Sequence, residues 1–428
     1  MTTDLHEMET LLAHECARHY HASLFSSGCY SGTCNSKWNI LVGWDAMDEL
    51  ILKPGTPTEE IDAFLHKYKG RWVMGHFTYE FGHSLETSLS GQTENSGTFE
   101  PASLFVPRFV TGVGPSGGFH LDQESGVRTT IEEFVAVLKS RPTKVAEEPN
   151  IQSIDSEQDS ERKEYHIAFD TVKQHLLRGD IYELNYCLPF GLRGKISDPT
   201  DLWLHMQSLQ KAPMAALYRK GNAWLLCCSP ERFLKKTGNT LLTQPIKGTR
   251  PRGKSEEEDR MNRDELYRSE KERAENVMIV DLARNDLGRV ARTGSVVVQE
   301  LFGIHSFASV HQMISTVSAE LKDGITFTDI LKALFPMGSM TGAPKIRAME
   351  IIRETESQPR GIFSGTVGYI DPQGDFDFNV VIRSIIYDDA TSSILYPAGS
   401  AITAYSDPGQ EFDECLLKAR GMRKVLGV

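Results

Sequence analysis

Cysteine is sparse and scattered in this chain, and the missing pattern excludes two kinds of stabilised scaffold. The cysteines stand at positions 16, 29, 34, 187, 227, 228 and 415. None of them forms a CxxC pair, so the spacing of a structural zinc site is missing. An odd, dispersed set also argues against a disulfide framework and favours a reducing compartment.

Long apolar runs and basic blocks are missing as well. No uncharged apolar stretch approaches the roughly 18 residues of a membrane span, and residues 1–4 lack the features of a signal peptide. The formal net charge is −12, whereas nucleic-acid binding needs clustered Lys and Arg. We therefore expect a cytoplasmic protein that has neither a nucleic acid nor a membrane as its partner.

Length and one shift in composition indicate how the chain is organised. At 428 residues it has room for two or three domains of roughly 150 residues each, or for one large unit. The stretch 145–163 is polar and acidic, which predicts a linker or surface loop. It would separate an N-terminal lobe, 1–144, from a C-terminal region, 164–428, that we expect to be one continuous structural unit.

Hydrophobic periodicity predicts a mixture of helices and strands. Apolar residues at helical spacing predict helices over 165–178, 269–287, the segment after Pro344, and 408–425. Ser269 followed by Glu272 has the pattern of a capping box. Runs of β-branched and aromatic residues predict strands over 71–81, 103–114, 181–190, 216–228, 241–246, 365–370 and 378–386. Strands and helices do not alternate regularly, so the predicted fold class is α+β.

Residues 248–255 match the phosphate-binding loop pattern GxxxxGK[ST], which makes nucleotide binding a second hypothesis. Two features argue against it. Such a loop binds phosphate through successive backbone N–H groups, and Pro251 removes one of them. Four carboxylates at 256–259 would then repel a triphosphate at the start of the following helix. We therefore set the nucleotide hypothesis aside.

Lys247 is a candidate nucleophile on local grounds. It ends an apolar run that leads into a basic turn broken by Gly and Pro. A partly buried amine loses solvation, which lowers its pKa toward the range in which it is nucleophilic.

Two pairs of glutamates share one spacing. Glu272 and Glu275, like Glu411 and Glu414, stand at i and i+3 in predicted helices, so each pair projects from one helix face. Such faces are usually solvated, and the capping role of Glu272 is a further structural explanation. If the two helices meet, their carboxylates can instead hold Mg²⁺, a cation that prefers oxygen ligands.

Several short motifs occur in the order found in one known family. They are GDIYELN (179–185), CSPERF (228–233), PIKGT (245–249), DLARNDLGR (281–289), SMTGAPK (339–345), RGIFSG (360–365) and VIRS (381–384). From about residue 165 to the C-terminus, the chain thus resembles the chorismate-utilising enzymes. The resemblance implies a catalytic region at 164–428. It also implies two large β-sheets packed as a sandwich, with helices outside and a substrate cleft between the sheets.

The resemblance implies a Mg²⁺ site and an anion site in that cleft. Glu275 and Glu414 match the family's metal-binding positions, backed by Glu272 and Glu411. One carboxylate of chorismate would bind this metal, and the enolpyruvyl carboxylate would meet the guanidinium of Arg383.

Further site residues follow from the resemblance. Backbone amides of a turn at 398–401, including Gly399 and Ala401, would assist Arg383, and Lys418 would face the same cleft. Thr341 would contact the substrate or shape a turn, and His311 would lie near the ring as a catalytic residue. Without the family context, Arg383 or Lys418 could equally form a structural ion pair, and a lone histidine is more often structural.

Within the family, the residue at position 247 separates the reactions. A lysine there resembles the aminodeoxychorismate synthases, whereas enzymes that make anthranilate or isochorismate usually carry a small residue. The implied reaction is attack by Lys247 at ring C2 with loss of the C4 hydroxyl, followed by addition of ammonia at C4. Glu231 matches the general acid for the departing hydroxyl, a role that requires a raised pKa.

The product would be 4-amino-4-deoxychorismate, on the route to p-aminobenzoate and folate. Its ammonia would come from a separate glutamine amidotransferase, since the chain shows no nucleophile-elbow or Cys-His glutaminase segment. The first alternative is an anthranilate synthase large subunit, and an isochorismate synthase is the second. A sensor that only binds chorismate is a non-enzymatic alternative with little support, because the acidic and nucleophilic residues are all present.

Some residues depart from the family pattern. Glu183 stands where related enzymes usually carry Gln and isochorismate synthases carry a lysine. Phe363 replaces a common Tyr that reaches the substrate. Ser400 and Ala401 replace glycines, and a residue with a Cβ restricts backbone approach. These departures leave open the local geometry around the substrate.

Overall fold

The structure of the protein is a computed structural model. It describes residues 4–28, 36–86, 88–89, 97–115, 119–123, 131–141, 150–152, 158–308 and 310–428. None of the helices in this described part combines the length and the apolar run needed to cross a membrane.

The helices are spread along the whole chain, with a short 3₁₀ turn at Gly338–Met340. They are α1 (Leu5–Cys16), α2 (Glu59–Lys67), α3 (Phe81–Leu85), α4 (Ile131–Ser140), α5 (Gln158–Arg178), α6 (Pro199–Gln210), α7 (Glu256–Arg268), α8 (Glu270–Val290), α9 (Phe327–Leu334), α10 (Lys345–Thr355) and α11 (Pro408–Leu426).

The strands in the first half are β1 (His21–Ser26), β2 (Ile40–Leu52), β3 (Val73–Phe77), β4 (Ala102–Val113), β5 (Phe119–Gln123), β6 (Asn150–Gln152), β7 (Glu183–Leu188), β8 (Gly191–Lys195) and β9 (Met214–Lys220). Those in the second half are β10 (Ala223–Ser229), β11 (Arg232–Thr237), β12 (Thr240–Gln244), β13 (Ile246–Pro251), β14 (Val297–Ser306), β15 (Val310–Glu320), β16 (Gly342–Ala343), β17 (Thr366–Ile370), β18 (Phe376–Asn379), β19 (Ser384–Asp388), β20 (Ser393–Leu395) and β21 (Ala398–Thr403).

The strands form one large curled antiparallel sheet that closes on itself, and one small sheet. The small sheet has three strands in the order β16-β7-β21. The α+β class is thus confirmed, but the expected sandwich of two large sheets takes a different form. The strands of the large sheet pair around a closed ring, and the small sheet is separate from it.

Strands from both halves of the chain share the large sheet. β1 pairs with β2 on one side and with β9 on the other, and β3 pairs with β17. Of the predicted linker 145–163, residues 145–149 and 153–157 lie outside the described residues. Residues 150–152 form β6, which pairs with β8, and α5 begins at Gln158. The boundaries between lobe, linker and catalytic region stay a prediction.

Two buried apolar clusters hold the elements together. One contains Trp203 and Tyr165 and lies beneath helices such as α5, α6 and α11, and the other contains Phe77 and Phe105. The indole N–H of Trp203 donates to the backbone oxygen of Cys227 at 3.1 Å, so this large ring is buried without an unpaired polar group. These cores fix the strands that carry the polar cleft described below.

The predicted helices are confirmed, with shifted ends. The Ser269 hydroxyl accepts from the backbone N–H of Glu272 at 3.4 Å and so caps α8, which runs on to Val290. The helix predicted at 165–178 begins earlier, at Gln158, because polar residues extend its first turns without adding apolar periodicity.

Several strands predicted as continuous are broken in the structure. The segment 216–228 is a hairpin that turns at Gly221, whose φ is 61°. The segment 378–386 stops at Asn379 and resumes at Ser384, with Arg383 at a φ of 53° between them. The segment 71–81 is a strand only over β3, and α3 begins at Phe81. The two-residue alternation of side chains along a strand does not show where the chain turns within an apolar run.

Candidate active site

Lys247 lies on a β-bulge near the start of β13. Ile246 pairs with Ile314 and Thr249 pairs with Gln312 on β15, so β13 has one extra residue between these pairs. Gly248 takes a φ of 87°, which favours glycine. A Cβ at this position would lie 2.9 Å from Oε2 of Glu272. A bulge re-aims the side chain it carries, and here that side chain is Lys247.

The Lys247 ammonium forms an ion pair with Glu183. Its Nζ lies 2.5 Å from Oε1 of Glu183, and the two side chains are 10% and 1% exposed. Lys247 belongs to the large sheet, whereas Glu183 is the first residue of β7 in the small sheet. The ion pair therefore joins the two sheets across the cleft.

The pKa of Lys247 moves in the opposite direction from the one expected from burial alone. Burial lowers this pKa, but the carboxylates of Glu183, Glu275 and Glu414 outweigh burial and raise the pKa above its usual range. The expectation of a lowered pKa is therefore wrong for the protein without substrate or metal. The sequence pattern revealed the burial but not the surrounding negative charge.

Glu231 lies next to this pair, just before β11. Its carboxylate accepts from the Ser339 hydroxyl at 2.7 Å, and its side chain is buried. Burial raises the pKa of Glu231 to about 7, although Ser339 and Lys247 act in the other direction. The raised pKa that a general acid requires is therefore present, and it comes from burial.

Helices α8 and α11 bring one carboxylate each to a shared cation. The Lys271 ammonium lies 3.5 Å from Oε1 of Glu411 and 3.9 Å from Oε1 of Glu275. Burial raises the pKa of Glu275 to about 7 and also raises the pKa of Glu411. A buried pair of carboxylates that already attracts an ammonium is chemically suited to a hard divalent cation.

The other two glutamates are drawn toward neighbouring cations. Glu414 forms an ion pair with Lys418 at 2.6 Å, and this lysine helps to lower the pKa of Glu414 against the effect of burial. Glu272 faces Arg250, whose Nη1 lies 3.4 Å from Oε1. The two helices thus meet as predicted, but the four carboxylates are not gathered into one compact group.

A different group of possible metal ligands is more compact. Among the described residues, only His14, Asp198 and Asp201 place three potential ligand atoms within 4.8 Å of one another. Asp198 caps α6 by accepting from Thr200 at 2.8 Å, and His14 pairs with Asp201 at 3.0 Å. Helix capping and an ion pair account for this cluster without a metal.

Arg383 and Lys418 lie side by side at the end of the cleft. Arg383 donates to the backbone oxygen of Lys418 at 3.3 Å, and Lys418 donates to the oxygen of Gly399 at 2.7 Å. Burial lowers the pKa of Arg383, and Glu414 opposes this change. The guanidinium is only partly buried and has no carboxylate ion-pair partner among the described residues, so its fork is available to an anion.

The expected turn at 398–401 is instead part of strand β21. Gly399, Ser400 and Ala401 pair with β7, so their backbone belongs to a ladder. The Ser400 hydroxyl is 2.8 Å from the hydroxyl of buried Tyr165. A strand forms here because β7 supplies a partner, which the sequence of the turn alone could not show. Gly399 is needed because a Cβ there would lie 2.7 Å from the oxygen of Tyr186.

Two predicted substrate contacts have structural partners in this molecule. Thr341 is fully buried, and its hydroxyl donates to the oxygen of Met337 at 3.2 Å, so its side chain shapes the turn rather than the cleft. His311 is 1% exposed. Its ring nitrogens lie 2.8 Å from the Ser306 hydroxyl and 3.1 Å from Asp259. In the part of the chain described, His311 has no hydrogen bond to the carboxylate cluster.

Three residues of this site were not among the predicted site residues. Glu183 stood out only as a departure from the family pattern, and its pairing with Lys247 requires the fold. Ser339 belongs to the SMTGAPK motif but had no assigned partner. Lys271 stands just before Glu272 in α8 without any signal in the sequence, although one turn of helix places it beside Glu275.

Most of this chain matches one known family of enzymes. The family model described as "chorismate binding enzyme" matches residues 28–424. The aminodeoxychorismate synthase of Arabidopsis thaliana chloroplasts is 42% identical over 69% of this chain and 33% of that protein. Anthranilate synthase component 1 of Aquifex aeolicus is 37% identical over 91% of this chain and 75% of that protein. The match therefore spans only a third of the first relative's length.

The fold has a counterpart among solved structures. A crystal structure of anthranilate synthase component I from Streptococcus pneumoniae superposes with a TM-score of 0.76 at 22% identity. The superposition covers 93% of this chain and 94% of that one. At this identity the likeness concerns the fold, and the chemistry rests on the residues of the cleft.

Proposed function

Because this chain belongs to the family of chorismate binding enzymes, we propose that it converts chorismate and ammonia to 4-amino-4-deoxychorismate. The observation that carries the proposal is the buried Lys247 amine, which lies 2.5 Å from Glu183 and faces Glu231. A small residue at position 247 would leave no nucleophile between these carboxylates. The lysine therefore favours the aminodeoxychorismate synthase reaction within the family.

The proposed reaction proceeds in two substitutions. The Lys247 amine forms a bond to ring C2 while the C4–O bond breaks, and Glu231 gives its proton to the departing oxygen, which leaves as water. Ammonia then bonds to C4 while the C2–N bond to lysine breaks, and the new C4 ammonium gives one proton back to Glu231. The C4 hydroxyl is thus replaced by an amino group, and the enolpyruvyl ether is retained. Covalent catalysis gains by dividing one difficult step into two easier ones.

Positive groups of the cleft would orient the substrate. The Arg383 guanidinium donates to the backbone oxygen of Lys418, and its fork is suited to a bidentate contact with a carboxylate. Lys418 is held by Glu414 and Gly399 in the protein without substrate. An entering carboxylate would compete for this ammonium, which couples substrate binding to the arrangement of α11.

The carboxylates of α8 and α11 would hold Mg²⁺. Glu275 and Glu414 would be its ligands, with Glu411 and Glu272 behind them, and the position of Lys271 supports a cation between the helices. When bound, Mg²⁺ would neutralise the ring carboxylate and polarise the conjugated ring as a Lewis acid.

The ammonia would be supplied by a separate glutamine amidotransferase in the cytoplasm, and the product would feed p-aminobenzoate and folate synthesis. The Aquifex relative is named as component 1 of its enzyme, which fits a chain that works with another component. The Arabidopsis relative is about three times longer than its matched part, which leaves room there for further functions.

Anthranilate synthesis is the second candidate because the Aquifex relative matches over most of both chains. One assay separates the two. The chain is incubated with chorismate, Mg²⁺ and ammonium, and the products are identified by mass. We expect a product that retains the enolpyruvyl group and that disappears in Lys247→Ala. Lys254→Ala, an exposed lysine on the same segment, is the matched control and should retain activity. Anthranilate together with pyruvate would refute the proposal.

A further inference from the structure

The two carboxylate oxygens of Glu183 differ in their contacts. Oε1 of Glu183 lies 2.5 Å from the ammonium, whereas the buried Oε2 has no hydrogen-bond partner among the described residues. A buried carboxylate normally pairs both oxygens, because an unsatisfied polar atom is costly to bury. The Lys247 proton can therefore pass along the hydrogen bond to Oε1, and no donor at Oε2 holds the carboxylate in its charged form.

The other charged groups that face Lys247 are already engaged. Glu231 accepts from Ser339, and Glu414 pairs with Lys418 at 2.6 Å. Glu275 faces Lys271 at 3.9 Å and is an expected metal ligand. Within the described structure, Glu183 alone is hydrogen-bonded to the Lys247 ammonium. It is therefore the carboxylate best placed to exchange a proton with this amine.

We propose that Glu183 is the base that removes the proton from Lys247 before the amine attacks the substrate. The inference rests on the proposed function. Lys247–NH₃⁺ and the Glu183 carboxylate become a neutral amine and a carboxylic acid, and the amine then bonds to C2. When ammonia adds at C4 of the covalent intermediate and the C2–N bond breaks, lysine leaves as a neutral amine and takes the proton back from Glu183. The resting ion pair is restored, and no other proton donor or acceptor is required for this exchange.

The geometry explains why a base is needed at this position. A lysine hydrogen-bonded at 2.5 Å to a buried carboxylate is held as its ammonium, which cannot attack until the proton leaves. A glutamine at position 183, which the related enzymes usually carry, could hold the amine by the same kind of hydrogen bond but could not take its proton. Glu183→Gln therefore separates holding the lysine from deprotonating it.

The test is the rate of covalent adduct formation in a single turnover. Enzyme, chorismate and Mg²⁺ are mixed without ammonium and quenched at intervals over a range of pH. The fraction of protein that carries the adduct is measured by intact-protein mass spectrometry. For Glu183→Gln we expect a rate about 100-fold lower near neutral pH. Between pH 7 and pH 9 this rate should change little, because the lysine must then lose its proton to solvent and the gain of free amine with pH offsets the loss of the Glu231 proton. The wild-type rate should fall about tenfold per pH unit over this range, because Glu183 still removes the lysine proton while Glu231 loses the proton that the departing hydroxyl needs.

Two further variants make the result decisive. Glu49→Gln changes the carboxylate of another buried lysine pair, Lys220–Glu49 at 2.7 Å, and should leave the adduct rate and its pH profile unchanged. Glu183→Asp keeps a base at a longer reach and should show an intermediate rate with the wild-type pH profile. It also answers the question if Glu183→Gln does not fold.

A Glu183→Gln enzyme with wild-type adduct rate and pH profile would overturn the inference, as would a pH-independent rate between pH 7 and pH 9 in Glu183→Asp. Neither result touches the proposed function. Failure of the proposed function looks different: the wild-type protein would form no adduct, or Lys247→Ala would retain full activity.

Discussion

Two buried lysine–glutamate pairs in this molecule differ in how completely their polar atoms are satisfied. Glu49 accepts from Lys220 at 2.7 Å, His21 at 3.1 Å and Ser103 at 2.7 Å, and Lys220 also meets Glu100 at 2.9 Å. Glu183 has Lys247 at one oxygen and no described partner at the other. The first pair belongs to a network in which both oxygens of Glu49 have hydrogen-bond partners. The second leaves an amine and a carboxylate oxygen available for chemistry.

The carboxylates around the two lysines also differ in their surroundings. Lys220 has two carboxylate partners, which lie with it in one local network. Lys247 faces Glu183, Glu275 and Glu414, and the last two are expected to bind a metal. A saturated pair contributes to stability, whereas an unsaturated pair inside a cleft marks a reactive site. The predictions below test this distinction.

The largest effect is expected for Lys247→Ala. Loss of the nucleophile should lower kcat/KM for ammonia-dependent product formation by at least about 1,000-fold. A polar side chain that lines a cleft supports little packing, so the melting temperature should stay close to that of the wild type. Calorimetry and product mass check both parts, and a large fall in melting temperature would contradict the second.

Glu231→Gln should have the next largest effect. With a pKa of about 7, Glu231 carries the proton for the C4 hydroxyl below that pH and loses it above. Wild-type activity should therefore fall as pH rises through about 7. The variant should be about 100-fold slower and should lose this alkaline limb. An unchanged limb in the variant would assign the titration to another group.

Glu49→Gln should alter stability and leave the chemistry intact. Burial raises the pKa of Glu49, but His21, Lys220 and Ser103 outweigh it and lower the pKa from 4.5 to about 2. Because the folded pKa is the lower one, this stabilisation is present above 4.5 and is lost as pH falls toward 2. Removing the carboxylate should cost about 2 kcal/mol of unfolding free energy at pH 7.

Denaturant unfolding at pH 7 and at pH 3 measures this contribution. The difference between Glu49→Gln and wild type should be smaller at pH 3. Asp48→Asn, which changes the more exposed Lys67–Asp48 pair, is a contrasting variant and should cost about 1 kcal/mol or less. Equal losses in both variants at pH 7 would show that burial of the pair is unimportant.

The smallest effect is expected for Lys271→Ala. This lysine is 59% exposed and places a positive charge between Glu275 and Glu411. Its removal should tighten Mg²⁺ binding a few-fold, because the ion would no longer compete with the ammonium. Titration of Mg²⁺ followed by calorimetry tests this, with Lys254→Ala as the control. Weaker Mg²⁺ binding would contradict it.

The sequence was most informative where the determinants of structure are local. The start of α8 follows from Ser269, and α11 follows from apolar spacing and from Asp407, which accepts from the N–H groups of Gly409 and Gln410. Periodicity predicted helices without knowledge of their neighbours. The α+β class needed only the absence of regular alternation.

Features that depend on a distant partner could not be predicted. The bulge at Lys247 arises from pairing with β15, and the strand at 398–401 arises from pairing with β7. Glu183 reaches Lys247 from 64 residues away, and His311 meets Asp259 from 52 residues away. The candidate residues came from motifs, but their charges and partners came from the fold.

The most direct test of the central claim is to locate the covalent adduct. Enzyme quenched during turnover of chorismate without ammonium is digested, and its peptides are analysed by mass. The account predicts a peptide carrying chorismate minus water on Lys247, an adduct that ammonium removes. Anthranilate formation without any modified Lys247 peptide would contradict it.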